Sequence, residues 1–370
     1  MRFPIVAVFA VLISGCASRP GSDILDPVGS SATGAEVVTV YAATTRKREK
    51  DGTNRFTSER SAQTNYAEFA ISFPPGRKPG EIEWSKGRPD PTKEVAVLNE
   101  RALDEKAFLH QIVKSQGGGK RDVAVFVHGY NYTFQEALFR QAQMVIDGKY
   151  KGAAVLFSWP SQATVSGYLA DKDSANYSRD NLAKMLTSLA RERRVGDIVV
   201  YAHSMGAWLT VEAMRQLRLS GRNDVLDRLH VLLASPDIDV DVFEAQMRVI
   251  GPLRKALTVL ISADDRALRL SKRVAGENDR LGGLNINDPR IRKIAKESNI
   301  AVVDISSLDA SDDFKHDRFV TLAAVYADRR HLGKADPSRS LMHAGAFVFN
   351  GIGATISSPF TLVGETLAVE

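Results

Sequence analysis

Hydrophobic and polar positions change character twice along the chain. Residues 3–13 (FPIVAVFAVLI) are apolar throughout, and 17–35 (ASRPGSDILDPVGSSATGA) are rich in Ser, Gly, Pro and Asp with few large apolar side chains. From Glu36 onward the pattern becomes globular. Stretches 37–42 and 66–73 read as strands, the second ended by Pro74-Pro75-Gly76. Further on come short continuous apolar runs at 123–127, 153–157, 197–202, 229–234, 257–261 and 300–305. Such runs mark strands covered on both sheet faces. Between them lie helical stripes. One over 133–147 carries Phe134, Ala137, Leu138, Met144 and Val145, one over 178–194 carries Leu182, Met185, Leu186 and Leu189, and one over 205–219 carries Leu209, Met214 and Leu217. Strands alternating with helices predict an α/β fold with a mostly parallel, doubly wound sheet flanked by helices. No internal repeat is visible. Residues 336–370 form an apolar C-terminal extension, uncharged over 344–364 but broken by Asn350, Ser357, Ser358, Pro359 and several glycines. That composition predicts a packed or surface-lying segment in preference to a spanning helix.

The first apolar run is too short for a permanent bilayer anchor. With Arg2 before it and Ser14-Gly15 after it, it reads as an export signal. The only cysteine of the chain, Cys16, follows directly, and Ile13-Ser14-Gly15-Cys16 resembles the bacterial lipoprotein cleavage box. The resemblance implies removal of residues 1–15, diacylation of the Cys16 thiol, and residues 16–35 as acylated cysteine and flexible tether to a domain spanning 36–335. Ala17 is not acidic. In the sorting rules of Gram-negative bacteria, which this pattern resembles, such a residue implies a lipid anchor in the outer membrane, facing the periplasm. A single cysteine leaves no internal disulfide. With 370 residues, 44% hydrophobic and 25% charged, the composition is that of an ordinary globular protein of one or two domains. The formal charge of +5 becomes 48 − 44 = +4 once Arg2 is removed. It is spread thinly, without a dense basic block, and predicts no nucleic-acid partner.

The chemistry concentrates at Val199-Val200-Tyr201-Ala202-His203-Ser204-Met205-Gly206-Ala207, where an apolar strand runs into a serine and then into a helical pattern. A tight strand-to-helix turn leaves no room for bulk two residues either side of its serine, and it aims the helix N-terminus at the reacting group. Ala202 replaces the first glycine of G-x-S-x-G, a departure of one methyl group. A serine that merely caps a helix would look similar over five residues. Upstream, the 123–127 strand leads into His128-Gly129-Tyr130-Asn131, where Gly129 permits a turn. The amides of Tyr130 and Met205 are the candidate oxyanion hole. His128 and His203 read as supporting residues.

A hydroxyl nucleophile needs a base, and the base an orienting carboxylate. The 257–261 strand ends at Ser262-Ala263-Asp264-Asp265-Arg266, and 300–305 is followed by a polar stretch ending in His316. Both lie just past strand C-termini, where α/β sheets place their chemistry. His316 is the candidate base ahead of His331, at a helix end, and His343, at the start of the tail. Asp264 and Asp265 are both candidate acids, one of them expected to pair with Arg266 or solvent, with Asp237 after the 229–234 strand as fallback.

Taken together, VTVYAATTR (38–46), VFVHGYN (125–131), FSWPS (157–161), YAHSMG (201–206), SPDID (235–239) and DRALRLS (265–271) resemble the uncharacterised bacterial branch of the α/β-hydrolase superfamily, grouped with esterases and lipases. The resemblance covers most of 37–330. It implies the α/β-hydrolase fold and a catalytic triad Ser204–Asp265–His316, the last motif favouring Asp265 over Asp264. It implies a serine hydrolase of carboxylic esters or thioesters acting on a small-molecule ester or acyl substrate, without cofactor or metal. It is silent on substrate identity. Residues 160–177, with Trp159, Tyr168 and Tyr177, are expected to line or partly cover the site. A second reading is a non-catalytic, membrane-tethered binding or envelope-assembly module that keeps the scaffold. Gly117-Gly118-Gly119-Lys120 is no phosphate loop, since it precedes a strand and Arg121 stands where Ser or Thr is required.

Overall fold

A computed structural model of the protein describes residues 19–320 apart from 86, 115–118, 299 and 311. Cys16, His331, His343 and the 336–370 extension lie outside the described residues.

Nine strands form one sheet: β1 (Glu36–Arg48), β2 (Phe56–Phe73), β3 (Ala96–Leu103), β4 (Arg121–Val127), β5 (Ala153–Ser158), β6 (Val195–His203), β7 (Leu229–Ala234), β8 (Leu257–Ile261) and β9 (Ile300–Asp304). Their spatial order is β3-β2-β1-β5-β4-β6-β7-β8-β9. β2 runs antiparallel to both β1 and β3, whereas the pairs from β1–β5 through β8–β9 are parallel. Helices α1 (Glu105–Val113), α2 (Phe134–Asp147), α3 (Tyr168–Tyr177), α4 (Arg179–Arg191), α5 (Met205–Leu219), α6 (Asn223–Leu226), α7 (Val240–Ile250), α8 (Arg266–Val274) and α9 (Pro289–Ser298) flank it. This is the mostly parallel, helix-flanked sheet that the run pattern predicts.

Alternation along the strands sorts the core into two layers. Val123, Val125 and Val127 of β4 face one layer with Met205, Leu209 and Met214 of α5, while Ala124 and Phe126 face the other with Ala137 and Leu138 of α2. The chain leaves β4 through α2 toward β5 and leaves β6 through α5 toward β7, on opposite faces. The crevice beyond the carboxyl ends of β4 and β6 is therefore the topological switch point, where ligands bind in such sheets.

Three elements differ from the sequence pattern. β3 was not expected: its segment AVLNERAL mixes polar residues into an edge strand with only one neighbour. β2 begins ten residues before the predicted 66, because its first half, TSERSAQTN, is a polar ribbon with little buried apolar surface. The tether also differs. Ser22–Leu25 forms a short 3-10 turn with Ile24 and Leu25 buried. Val28 donates its amide to the Val97 carbonyl at 2.9 Å, and Gln135 Nε2 donates to the Pro20 carbonyl at 2.7 Å. Two buried aliphatic side chains contribute about 3–6 kcal/mol of burial, so the chain is docked on the domain well before Glu36.

Candidate functional site

Ser204 joins β6 to α5 with φ +53° and ψ −120°. A non-glycine residue held there costs about 1–3 kcal/mol, and only surrounding structure sustains it. Three backbone bonds do so: the Ser204 amide donates to the Ala234 carbonyl at 2.9 Å, and its carbonyl accepts from Ala207 at 3.0 Å and Asp237 at 3.2 Å. Close packing completes the turn. A Cβ at Gly206 would lie 2.5 Å from the Val127 carbonyl oxygen and closer still to that of His128. A Cβ at Gly129 would meet His203 Nδ1 at 2.8 Å and Ser204 Cβ at 3.0 Å. The loop after β4 is thus pressed against the serine. Ala202, the departure from the usual glycine, is fully buried with no backbone distortion of its own.

Asp265 and His316 meet. Asp265 is the N-cap of α8: its Oδ1 accepts the Leu268 amide at 2.9 Å, and its Oδ2 accepts from His316 Nδ1 at 2.7 Å. The cap fixes one oxygen and thereby aims the other. With Nδ1 donating, the neutral imidazole leaves Nε2 as its acceptor. The His316 ring lies 4.5 Å from that of His203, the residue before the strained serine, and His203 Nε2 donates to the His316 carbonyl at 3.2 Å. Burial pushes the His316 pKa down, but the Asp265 carboxylate, assisted by Asp312 and Asp237, outweighs it and holds the ring above its ordinary 6.5. His203 goes the other way, driven well below 6.5 by burial and by the neighbouring imidazole.

The alternative acids have other partners. Asp264 pairs with Arg318 Nη1 at 2.5 Å and Lys315 Nζ at 2.8 Å, not with Arg266. These cations hold its carboxyl well below the usual range. Asp237 accepts from Tyr168 Oη at 3.0 Å and Ser271 Oγ at 2.5 Å, with Arg280 Nε 3.4 Å away. His128 is fully buried. Its Nδ1 donates to the Gly129 carbonyl at 2.9 Å, its Nε2 accepts the Trp159 amide at 3.2 Å, and burial together with Arg46 lowers its pKa to about 3. It is a neutral brace for the loop.

Two residues that hold the loop geometry carried no sequence signal of that role. Asp171, fully buried on α3, accepts Ser161 Oγ at 2.5 Å and the amides of Gln162 and Asn131 at 2.6 and 3.3 Å. Arg46, last residue of the VTVYAATTR stretch, donates to Ser158 Oγ and to the carbonyls of Ser161 and Tyr132 at 3.0, 3.1 and 2.8 Å. Together they lock the Tyr130 and Ser161 loops to each other. The 160–177 segment is consequently a folded helical wall. Tyr168 packs edge-on against Tyr130, Trp159 stacks on His128 in the interior, and Tyr177 turns away to the surface under Arg60. Met205 opens α5, where the first amides of a helix have no intrahelical partner. Among the described residues no group of three or more His, Cys, Asp or Glu could hold a metal ion. No described helix is long and apolar enough to cross a membrane.

No curated protein matches the chain. Among solved structures, a putative hydrolase from Agrobacterium vitis S4 is similar over 67% of this chain and 86% of its own, at 10% identity and a TM-score of 0.30. The esterase Est22, solved with p-nitrophenol, is similar over 85% of this chain and 84% of its own, at 10% identity and a TM-score of 0.34. The family model described as "Alpha/beta hydrolase of unknown function (DUF900)" matches residues 101–334, more than half of the chain, and the protein belongs to that family.

Proposed function

We propose that the protein is a serine hydrolase that cleaves a carboxylic ester or thioester through an acyl-enzyme intermediate. The observation that carries this reading is the 2.7 Å bond from His316 Nδ1 to buried Asp265, made beside a serine in a strained strand-to-helix turn. The Ser204 hydroxyl proton passes to His316 Nε2 as Oγ bonds to the acyl carbon and the carbonyl pair moves onto oxygen. The amides of Tyr130 and Met205 receive that oxyanion, each such donor being worth about 10²–10³ in rate. Collapse expels the alcohol or thiol, which takes the proton from His316. Water then repeats the cycle on the acyl-enzyme, giving its proton to His316 and releasing the acid. Asp265 keeps the imidazole in the required tautomer. The resemblance of residues 13–16 to a lipoprotein cleavage box supports an acyl anchor on Cys16 and a place in the cell envelope.

A fluorophosphonate probe tests the nucleophile. Labelling of the folded protein that vanishes in Ser204→Ala supports the enzyme; a folded, monodisperse protein that takes no label favours the binding module. A series of p-nitrophenyl esters of rising chain length then bounds the acyl pocket.

A further inference from the structure

Exposed apolar side chains gather around the mouth of this site. Among the described residues nine large hydrophobic side chains are exposed, and five of them, Val165, Leu169, Leu270, Val274 and Phe314, belong to the segments that frame Ser204 and His316. Those segments are joined. Tyr130 of the serine-facing loop donates its hydroxyl to the carbonyls of Thr164 and Val165. Tyr168 of α3 is within 2.9 Å of Ser271 of α8, and the Arg266 amide at the start of α8 donates to the Phe314 carbonyl at 2.9 Å.

Helix α8 itself has an unusual outer face. Arg266, Arg269, Leu270, Arg273 and Val274 are all exposed, while Leu268 and Ser271 are buried. The exposed set falls at i, i+3, i+4, i+7 and i+8, which is one continuous stripe of a helix. Arginines beside aliphatic side chains on one stripe suit a lipid headgroup boundary, where the aliphatic groups enter the acyl region and the cations meet anionic headgroups.

The N-terminal lead arrives at the same rim. Arg19 donates from Nη2 to the Asn131 carbonyl at 2.8 Å and from Nη1 to the Ala163 carbonyl at 2.6 Å, so it bridges the two loops of the mouth. Cys16 is three residues earlier, a reach of at most about 10 Å. An acyl chain on that residue would enter the bilayer beside the active site, not at the end of a long tether.

We infer that this rim is seated on an anionic membrane surface and that Ser204 takes its ester from a lipid of that membrane. The inference rests on the hydrolase reading and on acylation of Cys16. The test uses the full acylated protein reconstituted in phosphatidylethanolamine vesicles with and without phosphatidylglycerol. Acylation consumes the only native thiol, so V165C, L270C and L219C each carry one reactive site for a polarity-sensitive dye. Residue 219 ends the 15-residue helix α5 that follows Ser204, about 22 Å away. Dyes at 165 and 270 are expected to shift to the blue and be quenched by nitroxide-bearing lipids, more strongly with phosphatidylglycerol present, while 219 stays unquenched. No quenching at 165 and 270, or equal quenching at 219, overturns the seating, as does a wild-type thiol that still reacts with maleimide. The variant L270S/V274S is expected to lose about tenfold in hydrolysis of vesicle-embedded phospholipid ester while its rate on a soluble p-nitrophenyl ester holds. An equal effect on both substrates, or none, overturns the lipid assignment. Fluorophosphonate labelling of the same vesicles separates the two readings. Label without quenching removes the seating and leaves the hydrolase; quenching without label removes the hydrolase and the lipid ester with it.

Discussion

Two histidine–aspartate pairs occupy opposite ends of the same sheet. At the carboxyl ends of the strands, His316 and Asp265 are 2.7 Å apart, with the aspartate side chain fully buried and the histidine 15% exposed. At the amino ends, His230 and Asp197 are 3.5 Å apart and 22% and 40% exposed, and Lys255 contacts both. By residue type alone the two look alike. They differ in what the backbone brings to them. The first packs its imidazole 4.5 Å from the ring of His203, the residue before a serine whose φ of +53° is held by three main-chain bonds, and its acid is pinned as a helix cap. The second has an ammonium group competing for the carboxylate and open solvent beside it. A histidine and a carboxylate become a base only where burial strengthens the pair and the fold aims an acceptor nitrogen at something that can react.

Removing the hydroxyl is the most severe way to separate the two ends. Ser204→Ala is expected to lower esterase kcat by about 10⁶-fold, as losing a triad nucleophile does elsewhere, measured with the best p-nitrophenyl ester found for the wild type. Next is Asp265→Asn, which keeps the α8 cap because asparagine caps as well as aspartate and replaces the acceptor of the His316 proton with an amide. A loss of about 10⁴ is expected from the wrong tautomer. On the proposed mechanism the neutral His316 imidazole is the base, and its pKa is held above 6.5. The rate therefore falls as pH drops through that raised value. Without the Asp265 carboxylate only Asp312 and Asp237 oppose burial, and the residual acid limb should move to lower pH. Asp197→Asn at the far end should change neither rate nor pH profile beyond about twofold, as surface substitutions usually do. Comparable losses from both asparagine variants would mean that position in the sheet is not what makes a pair chemical. Gly206→Ala ranks third, at about 10²-fold, the usual effect of moving a reacting atom by an ångström, because the added methyl must push the elbow away from the carbonyls of Val127 and His128.

The same contrast explains what could be read from residues alone. β4 through β9 were legible because strands buried on both faces are written as continuous apolar runs, and Ser204 was legible because small residues must flank it. Asp265 and Asp264 were not separable by spacing, only by the resemblance of the motif that follows: both sit at the end of β8, and in the fold the distant Arg318 and Lys315 claim Asp264 while His316 bonds Asp265. The bracing roles of Arg46 and Asp171 were invisible for a related reason. Their work is to satisfy carbonyls and amides of two loops, and nothing in the local pattern announces a long-range partner. Ile24 and Leu25 read as tether because two aliphatic residues among Ser, Asp and Gly give no period, although they are buried in one layer of the core.

A smaller effect probes how His316 is held from behind. Asp312 Oδ1 accepts the amides of His316 at 2.8 Å and Asp317 at 3.2 Å. Burial, and then the neighbouring Asp317 carboxylate, push the Asp312 carboxyl up from 3.8 to about 6. The folded protein thus binds this proton more tightly than the unfolded chain, so the stability Asp312 contributes is greatest below 3.8 and falls as pH rises through about 6. Asp317→Asn removes the like charge and, with it, part of that decline, the share due to burial remaining. Relative to wild type, the variant should be nearly unchanged in Tm at pH 4 and gain about 1–2 °C by pH 8, measured by thermal unfolding across the range, while the ester rate at pH 8 stays within about twofold. Asp317 also lies 3.8 Å from Arg140. A variant that loses Tm steadily toward pH 8 would show that this ion pair, and not the repulsion, governs the segment behind His316.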